Sequence, residues 1–247
     1  MSAARTVLVV GGGVTGCEAA WRAAREGATV TLVTTSLDTV YALDEEPGAL
    51  APPPGTLLYS VLAEGAGTRW DVHRAAKYAL ESEPSLHLLQ STASALIVAD
   101  GAVVGVETWE GVPRRAAAVA LCVGTFLQAR LEIGSVVEQH GRLSEMAYDD
   151  LYRDLQERGF EFEGLQIASE AGSGSLPHVV RTLVFAAAER SSADLSLPRL
   201  ARLYAAGACV ARPAGPPGVV ACAAEGMRLA DVLTGAAGGG APAAGAA

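Results

Sequence analysis

The sequence predicts an α/β domain built on a mainly parallel β-sheet, and three observations favour this fold class. Thr6–Val10 is apolar and largely β-branched on both faces, which is typical of a central strand in a buried parallel sheet. An alanine-rich run follows and ends at Gly27, and Thr29–Val33 then repeats the strand pattern. This strand–helix–strand order is the basic unit of parallel α/β folds.

A glycine motif lies where the first strand turns into the helix. Gly11, Gly13 and Gly16 form G-x-G-x-x-G. The first glycine permits a tight turn, the second lets a diphosphate approach the backbone, and the third lets helix and strand pack closely. The helix N-terminus adds free N–H groups and a positive dipole end, worth about 0.3–1 kcal/mol for a nearby anion. The motif predicts dinucleotide binding; the alternative is a glycine-rich turn in an unliganded domain.

The residues after the second strand carry hydroxyl groups instead of the usual acid. An acid at this place normally binds the ribose hydroxyls of a dinucleotide. Here Thr34, Thr35 and Ser36 follow the strand, and the first acid is Asp38. We therefore expect hydroxyl side chains at the adenosine ribose.

Composition narrows the class of protein. The 247 residues, 50% hydrophobic and 18% charged, suit one α/β domain with an insertion or two small domains. The formal charge of −9 and the absence of a basic run disfavour nucleic-acid binding through phosphates. The longest apolar run is too short to span a bilayer and no leader pattern precedes the first strand, so we predict a cytoplasmic protein.

The four cysteines do not suggest a metal site. They show no C-x-x-C spacing and no clustering with histidines, and each lies in an apolar or alanine-rich context. We therefore expect small buried side chains and no bound metal at Cys17, Cys122, Cys209 and Cys222.

Elements of the middle of the chain follow from local patterns. Leu37–Gly67, with several prolines and the acids Asp44, Glu45 and Glu46, predicts an irregular loop that is either a solvated connector or part of a site. The remaining expectations run in chain order: a helix at Arg69–Glu83, a short strand at Leu86–Gln90, a hairpin of Ala95–Val98 and Val103–Thr108, and a return to the main sheet over Arg114–Val123.

The last third of the chain contains an acidic segment and a final strand and helix. Glu138–Glu170 holds nine acids and three bases, net −6, and Ser144 is expected to cap a helix within it. The remaining expectations are a flexible link at Ala171–Ser175, an apolar segment at Val179–Ala187, a strand at Leu203–Gly207, a helix at Val219–Leu233 closed by Gly235, and a disordered tail at 236–247.

With both ends considered, the chain resembles the glucose-inhibited division protein A family, FAD-dependent tRNA uridine-modification flavoenzymes, and the related folate-dependent tRNA methyltransferases. The resemblance covers roughly residues 5–135 and 200–235. It rests on GGGVTGCEAAWRAAREGATVTLVT, HRAAKYALESEPSLHLLQ, LIVADGAVVGVET and VGTFLQARLEIG, and more weakly on LYAAGACV and AAEGMRLADVLTG. In this family the second strand also ends in threonine.

The resemblance implies a three-layer FAD/NAD(P)-binding, Rossmann-like domain. Its mainly parallel sheet would carry helices on one face and a small antiparallel layer, at about 86–115, on the other. We expect this FAD-binding domain to span 1–235, with a short insertion at about 136–200 and the tail at 236–247.

The implied cofactor is FAD, bound in an extended form. The diphosphate would contact Gly11, Gly13, Val14, Thr15 and Gly16, and the ribose Thr34, Thr35 and Ser36. Adenine would face the main chain of Thr92 and Ala93, Gly124 and Thr125 would lie near the diphosphate, and Gly207 and Ala208 would approach the ribityl chain. The N-terminus of the helix from Gly218 would face the N1–C2=O edge of the flavin.

Two departures from the family bear on function. Full-length members are much longer, with a helical C-terminal domain that holds tRNA, and they carry a reactive cysteine in the loop after the second strand; residues 37–67 here contain none.

Three functions stay open: an FAD-dependent oxidoreductase with unknown donor and acceptor, a flavin-carrying subunit or sensor without turnover, and tRNA modification with a partner chain supplying the missing domain. The isolated chain is not expected to bind tRNA tightly.

No residue is predicted as a catalytic acid or base. His73 is expected at the solvated side of its helix. His140 and His178, near the insertion, could line a substrate pocket, and Arg130 could neutralise flavin or substrate charge; a surface position is the alternative for each.

Overall fold

Five parallel strands form the centre of the structure, a computed structural model that describes residues 5–169 and 176–235. The expected link at Ala171–Ser175 and the expected tail at 236–247 lie outside the described residues. The strands are β1 (Thr6–Val10), β2 (Thr29–Thr34), β3 (Leu86–Gln90), β4 (Ala93–Ala99), β5 (Ala102–Thr108), β6 (Pro113–Arg115), β7 (Ala118–Leu121), β8 (Leu127–Ile133), β9 (Val136–Glu138), β10 (His140–Arg142), β11 (Glu145–Met146), β12 (Phe162–Ser169), β13 (His178–Phe185) and β14 (Leu203–Ala205). The α-helices are α1 (Val14–Arg25), α2 (Leu57–Ala63), α3 (Arg69–Glu81), α4 (Asp149–Glu157) and α5 (Val219–Thr234).

The central sheet has the order β14-β7-β1-β2-β3, and each neighbouring pair is parallel. Val7 and Val9 of β1 belong to a core shared with α1, α3 and α5, whereas Leu8 and Val10 belong to a core shared with β4, β5 and α4. Because successive strand residues point to opposite faces, the two cores lie on opposite sides of the sheet. The predicted three-layer fold is confirmed.

Close helix packing beside the sheet depends on small residues. The alanines of α1 are buried between the sheet and α5. A Cβ at Gly226 of α5 would lie 2.6 Å from the Cβ of Glu18 in α1, so only glycine fits at this crossing. α5 ends at Gly235 with φ 81°, which confirms the predicted glycine stop.

The antiparallel part of the fold contains three further groups of strands. β4, β5 and β6 form a three-stranded sheet, β12-β13-β8-β9 a four-stranded sheet, and β10 and β11 a hairpin. β3 pairs in parallel with β2, so it belongs to the central sheet and the antiparallel layer begins at Ala93. The return to the main sheet, expected over Arg114–Val123, is confined to β7 because β6 pairs with β5.

One helix was not expected from the sequence, and one expected helix cap is wrong. Leu37–Gly67 is not irregular throughout, since α2 lies within it and the Thr56 side chain accepts a hydrogen bond from the Tyr59 amide at its start. Ser144 does not cap α4: it has φ 63° in the turn between β10 and β11, and α4 begins at Asp149. Among the described helices, none is long and apolar enough to cross a membrane.

Three further elements end one or two residues before or after the expected position. α3 ends at Glu81, β14 ends at Ala205, and α5 continues to Thr234. Gly207, which was expected to close the last strand, instead has φ 83° and begins a 3-10 turn over Gly207–Cys209. The change of direction brings the residues after β14 back towards α1.

Candidate dinucleotide site

The glycine motif brings strand, helix and neighbouring strand into close contact. Gly11 has φ 113°, and a Cβ there would lie less than 3.0 Å from the carbonyl oxygen of Cys122 at the end of β7. A Cβ at Gly16 would likewise lie less than 3.0 Å from the Gly11 carbonyl oxygen. These two glycines are therefore required by the packing of β1 against α1 and β7.

Gly13 differs from the other two glycines because its Cα faces open space. No heavy atom would lie within 4 Å of a Cβ at Gly13. Gly13 is the N-cap of α1, no side chain caps this end, and the first turn contains no acid. No side chain of the first turn thus occupies the first N–H groups of α1, an arrangement that fits a diphosphate.

The expected ribose contacts lie at the end of β2. Thr34 and Thr35 line the cleft in front of the glycine motif, and the Thr34 hydroxyl donates to the carbonyl oxygen of Ser36 at 3.1 Å. Ser36 is not among the cleft residues; its own hydroxyl oxygen accepts from the Asp38 amide at 3.2 Å. Two of the three hydroxyl residues are therefore positioned towards the cleft.

The remaining predicted contacts divide between the cleft and its surroundings. Gly124 lines the cleft, whereas Thr125 lines an adjoining cavity. Thr92 and Ala93 lie outside the cleft lining, although the preceding amide, of Ser91, donates to the Thr34 carbonyl at 2.9 Å. The roles assigned to these residues stay predictions.

Gly207 connects the last strand to the glycine motif. It has φ 83°, and a Cβ there would lie 2.7 Å from the Thr15 hydroxyl oxygen in the first turn of α1. Its amide donates to Glu225 Oε2 at 2.7 Å, and Glu225 also pairs with Arg190 at 2.7 Å and with Arg212. This largely buried ion-pair network holds the predicted ribityl contact, Gly207 with Ala208, beside α1.

Sequence reasoning did not identify several residues that line the cleft. They come from the glycine loop, the loop after β2, the end of β7 and the β10–β11 hairpin: Gly12, Thr39, Ala42, Cys122, Val123, Phe126, Arg142, Glu145 and Tyr148. The sequence pointed to only three of them: Gly12 through the glycine run, and Val123 and Phe126 through the segment VGTFLQARLEIG. The others reach the cleft from distant positions in the chain.

Two ion pairs and one hydrogen bond hold the loop after β2 in front of the cleft. Asp44 pairs with Arg142 at 3.4 Å, and Glu46 pairs with Arg69 at 2.8 Å. Glu45 Oε1 accepts a hydrogen bond from the Val219 amide, at the N-terminus of α5, at 3.2 Å. The three consecutive acids are exposed, as expected for a solvated loop, but each contacts a different element of the fold.

A buried carboxyl group holds the start of this loop. Glu18 of α1 accepts hydrogen bonds from the Tyr41 hydroxyl and from the amides of Leu57, at 2.6 Å, and Leu58, at 2.9 Å. Burial raises the pKa of the Glu18 carboxyl, while the hydrogen bond from Tyr41 and the two amide hydrogen bonds act in the opposite direction. Glu18 thus joins α1, the loop and the N-terminus of α2.

His73 is buried, contrary to its expected solvated position. Its Nδ1 donates to the carbonyl oxygen of Val40 at 2.6 Å, because the loop after β2 folds back over α3.

The other candidate residues lie at or near the four-stranded sheet. His140 pairs with Glu138 at 2.8 Å, and Arg130 pairs with Asp149 at 3.1 Å on the face of the four-stranded sheet remote from the cleft. Of these residues, His178 lines the cavity that adjoins the cleft, and Arg130 lines a groove on the other face of the four-stranded sheet.

The predicted burial is confirmed for three of the four cysteines. Cys17, Cys122 and Cys209 are buried and Cys222 is partly buried, and burial raises the pKa of all four thiols, that of Cys209 to about 12. Within the described ranges 5–169 and 176–235, no group of three or more potential metal ligands occurs. These thiols are packing residues around the glycine motif.

Comparisons with known proteins agree with this geometry. The model of the family described as glucose inhibited division protein A matches residues 6–68 and 63–171. The crystal structure of the GidA-related protein from Thermus thermophilus is 40% identical, covers 95% of this chain and 100% of its own, and superposes with a TM-score of 0.84. Aquifex aeolicus GidA, in its form II crystal, has a TM-score of 0.79 at 16% identity over 97% of this chain and 64% of its own, which supports the fold alone.

Longer proteins match over part of their length. The tRNA uridine 5-carboxymethylaminomethyl modification enzyme MnmG of Chlamydia caviae is 29% identical over 219 residues, which are 76% of this chain and 35% of that protein. The chain thus spans about a third of the length of the curated relatives that it matches. The comparisons confirm FAD as the cofactor, and the open N-terminus of α1 fits its diphosphate. The chain belongs to the glucose inhibited division protein A family.

Proposed function

We propose that this chain is an FAD-dependent oxidoreductase in which one domain, residues 1–235, holds the cofactor. The observation that carries the proposal is the uncapped N-terminus of α1 behind Gly13, which opens on the cleft lined by the glycine motif. The flavin would supply two-electron chemistry, and the residues of this chain would bind and orient it.

Roles for individual residues follow from their places around the cleft. The amides of Gly13, Val14 and Thr15 would donate to the diphosphate, and Thr34 and Thr35 would bind the adenosine ribose. Gly207 and Ala208, held by Glu225, would contact the ribityl chain.

The N-terminus of α5 would face the pyrimidine edge of the flavin, where its positive end favours negative charge. In this structure Glu45 contacts the same helix end. Cofactor binding would therefore require Glu45 to share this helix end with the flavin or to leave it.

Mixing the loaded protein with NADH and NADPH tests whether the flavin accepts hydride from a nicotinamide donor.

The proposal is tested by the absorbance of the purified chain after incubation with FAD. A yellow protein that retains flavin through desalting supports it, and a protein that stays colourless contradicts it. A flavin that neither nicotinamide donor reduces would favour the alternative of a flavin-carrying subunit.

A second candidate function is tRNA uridine modification with a partner chain. It is favoured by the names of the longer relatives, which are tRNA modification enzymes. The chain spans about a third of those proteins and has a formal charge of −9, so a partner would have to supply basic surface. Reconstitution with such a partner, followed by nucleoside analysis of the tRNA, would test this function.

A further inference from the structure

A second cavity, of about 620 Å³, adjoins the dinucleotide cleft. It lies between the four-stranded sheet β12-β13-β8-β9, the β10–β11 hairpin and the loop after β2. Phe126 and Arg142 line both the cavity and the cleft, and Thr125 lines the cavity directly after Gly124 of the cleft. The volume is in the range of sites that hold small organic molecules.

The cavity wall is apolar because of strand alternation. Leu131 and Ile133 of β8, Ile167 of β12 and Val180 of β13 line the cavity. Three polar residues next to these in the strands, Arg130, Gln166 and Arg181, line a shallow groove on the opposite face. The sheet therefore presents its apolar face to the cavity, next to the cleft assigned to FAD.

Phe126 separates the cavity from the cleft. A Cβ at Gly141 would lie 2.7 Å or less from atoms of the Phe126 ring, so the ring lies directly on the backbone of β10. Glycine at position 141 is thus required for the ring to occupy this boundary.

The charged groups at the cavity are neutralised by one another. Two guanidinium groups line it, and both are paired: Arg142 with Asp44 and with Glu145, each at 3.4 Å, and Arg69 with Glu46 at 2.8 Å. Among the described lining residues, neither guanidinium group is left without a carboxylate, so an anionic ligand would have to displace one. Because burying a charge without a partner is costly, the cavity favours a neutral ligand.

Hydrogen-bonding groups occur together at one end of the cavity. Ser169 of β12 lies opposite His178 of β13 in the strand register, so their side chains share one face. His178 Nδ1 donates to the Leu176 carbonyl at 2.9 Å, which leaves Nε2 as an acceptor in the neutral ring. The Ser169 hydroxyl can donate to a carbonyl oxygen of a ligand.

We propose that this cavity binds a neutral, largely apolar ring compound of the quinone class, which exchanges electrons with the flavin. This inference rests on the proposed oxidoreductase function. In the reaction, the quinone would gain two electrons and two protons and become a hydroquinone, and bound FAD in its two-electron-reduced form would supply both the electrons and the protons.

Binding of matched quinones tests the inference without measuring turnover. Equilibrium dialysis of the full chain, with and without FAD, would compare menadione with the anionic 1,4-naphthoquinone-2-sulfonate. We expect menadione to bind at least about tenfold more tightly, because both guanidinium groups that line the cavity are already paired with carboxylates. Equal binding of the two compounds, tighter binding of the sulfonate, or no binding of menadione would overturn the inference.

Substitutions in the cavity test whether menadione binds there. Ile167→Glu places a carboxylate in the cavity and should weaken menadione binding at least about tenfold. Val137→Glu makes the same kind of change at an exposed position of the same sheet, outside the cavity lining, and should leave binding unchanged. Ser169→Ala removes only a hydroxyl, so it keeps the test valid if Ile167→Glu fails to fold, and it should weaken binding several-fold.

The two proposals fail in different ways. A chain that retains FAD but does not bind menadione overturns only the quinone site. A chain that does not retain FAD overturns the proposed function. Wild-type affinity for menadione in both cavity variants would show that the quinone binds elsewhere and would also overturn the inference.

Discussion

Alanine at position 13 tests whether the open end of α1 holds the FAD diphosphate. Gly13 has φ −74° and ψ 179°, which alanine adopts without strain, and a Cβ there meets no heavy atom within 4 Å. The change should therefore alter the free energy of unfolding by less than about 1 kcal/mol, since a small N-cap cost is offset by the lower entropy of the unfolded chain.

The effect on FAD should be much larger than the effect on folding. The added methyl group would occupy the space through which the diphosphate reaches the first amides of α1. Loss of one charge-assisted hydrogen bond costs about 1.5–3 kcal/mol. We therefore expect FAD affinity to fall by about 10- to 100-fold, measured as quenching of flavin fluorescence on titration of cofactor-free protein.

Two other glycines provide controls for this prediction. Gly48→Ala is the same change at an exposed glycine with no atom within 4 Å of the new Cβ, and it should leave FAD affinity unchanged. Gly16→Ala would force a Cβ against the Gly11 carbonyl and should lower stability itself. The reasoning would be refuted if Gly13→Ala bound FAD within about twofold of Gly48→Ala.

Three further predictions concern stability, pH dependence and nucleic acid. Glu225→Gln breaks a largely buried ion-pair network, so urea unfolding should show a loss of about 2–4 kcal/mol, whereas Asp150→Asn, in an exposed pair, should cost less than about 0.5 kcal/mol. Burial raises the folded-state pKa of Glu18, so its contribution to stability is complete below the unfolded value of about 4.3 and is lost as pH rises through the folded pKa. The unfolding free energy of the wild type should therefore fall more steeply with pH than that of Glu18→Gln, by at most about 1.4 kcal/mol per pH unit. With a formal charge of −9, the isolated chain should show no sub-micromolar binding to bulk tRNA in anisotropy titrations at about 0.15 M salt.

Each of these predictions has a contradicting result. Equal losses of stability in Glu225→Gln and Asp150→Asn would show that the network contributes no more than a surface pair. Parallel pH profiles of the wild type and Glu18→Gln would show that the Glu18 carboxyl has the same pKa in the folded and unfolded states. Sub-micromolar tRNA binding would point to a basic surface that the net charge conceals.

Local patterns predicted those elements whose structure depends on near neighbours in the chain. β1, α1 and β2 follow from apolar strand patterns, an alanine-rich face and glycines at fixed spacing. β3 was assigned to the wrong sheet, because a short apolar strand carries no information about which partner it will pair with. α2 was missed because part of its N-terminal stabilisation comes from Glu18, 39 residues before Leu57.

The sequence by itself determined the glycine turn, the helix behind it and the small residues that let α1 pack against its neighbours. These depend on backbone conformation and on side-chain size at single positions. Only the tertiary structure decided what surrounds the cleft. Glu45 meets Val219 across 174 residues, and Asp44 meets Arg142 across 98, so no local pattern identifies either contact. An exposed acid has the same local sequence whether it is solvated or paired, and its partner is chosen when distant elements pack together.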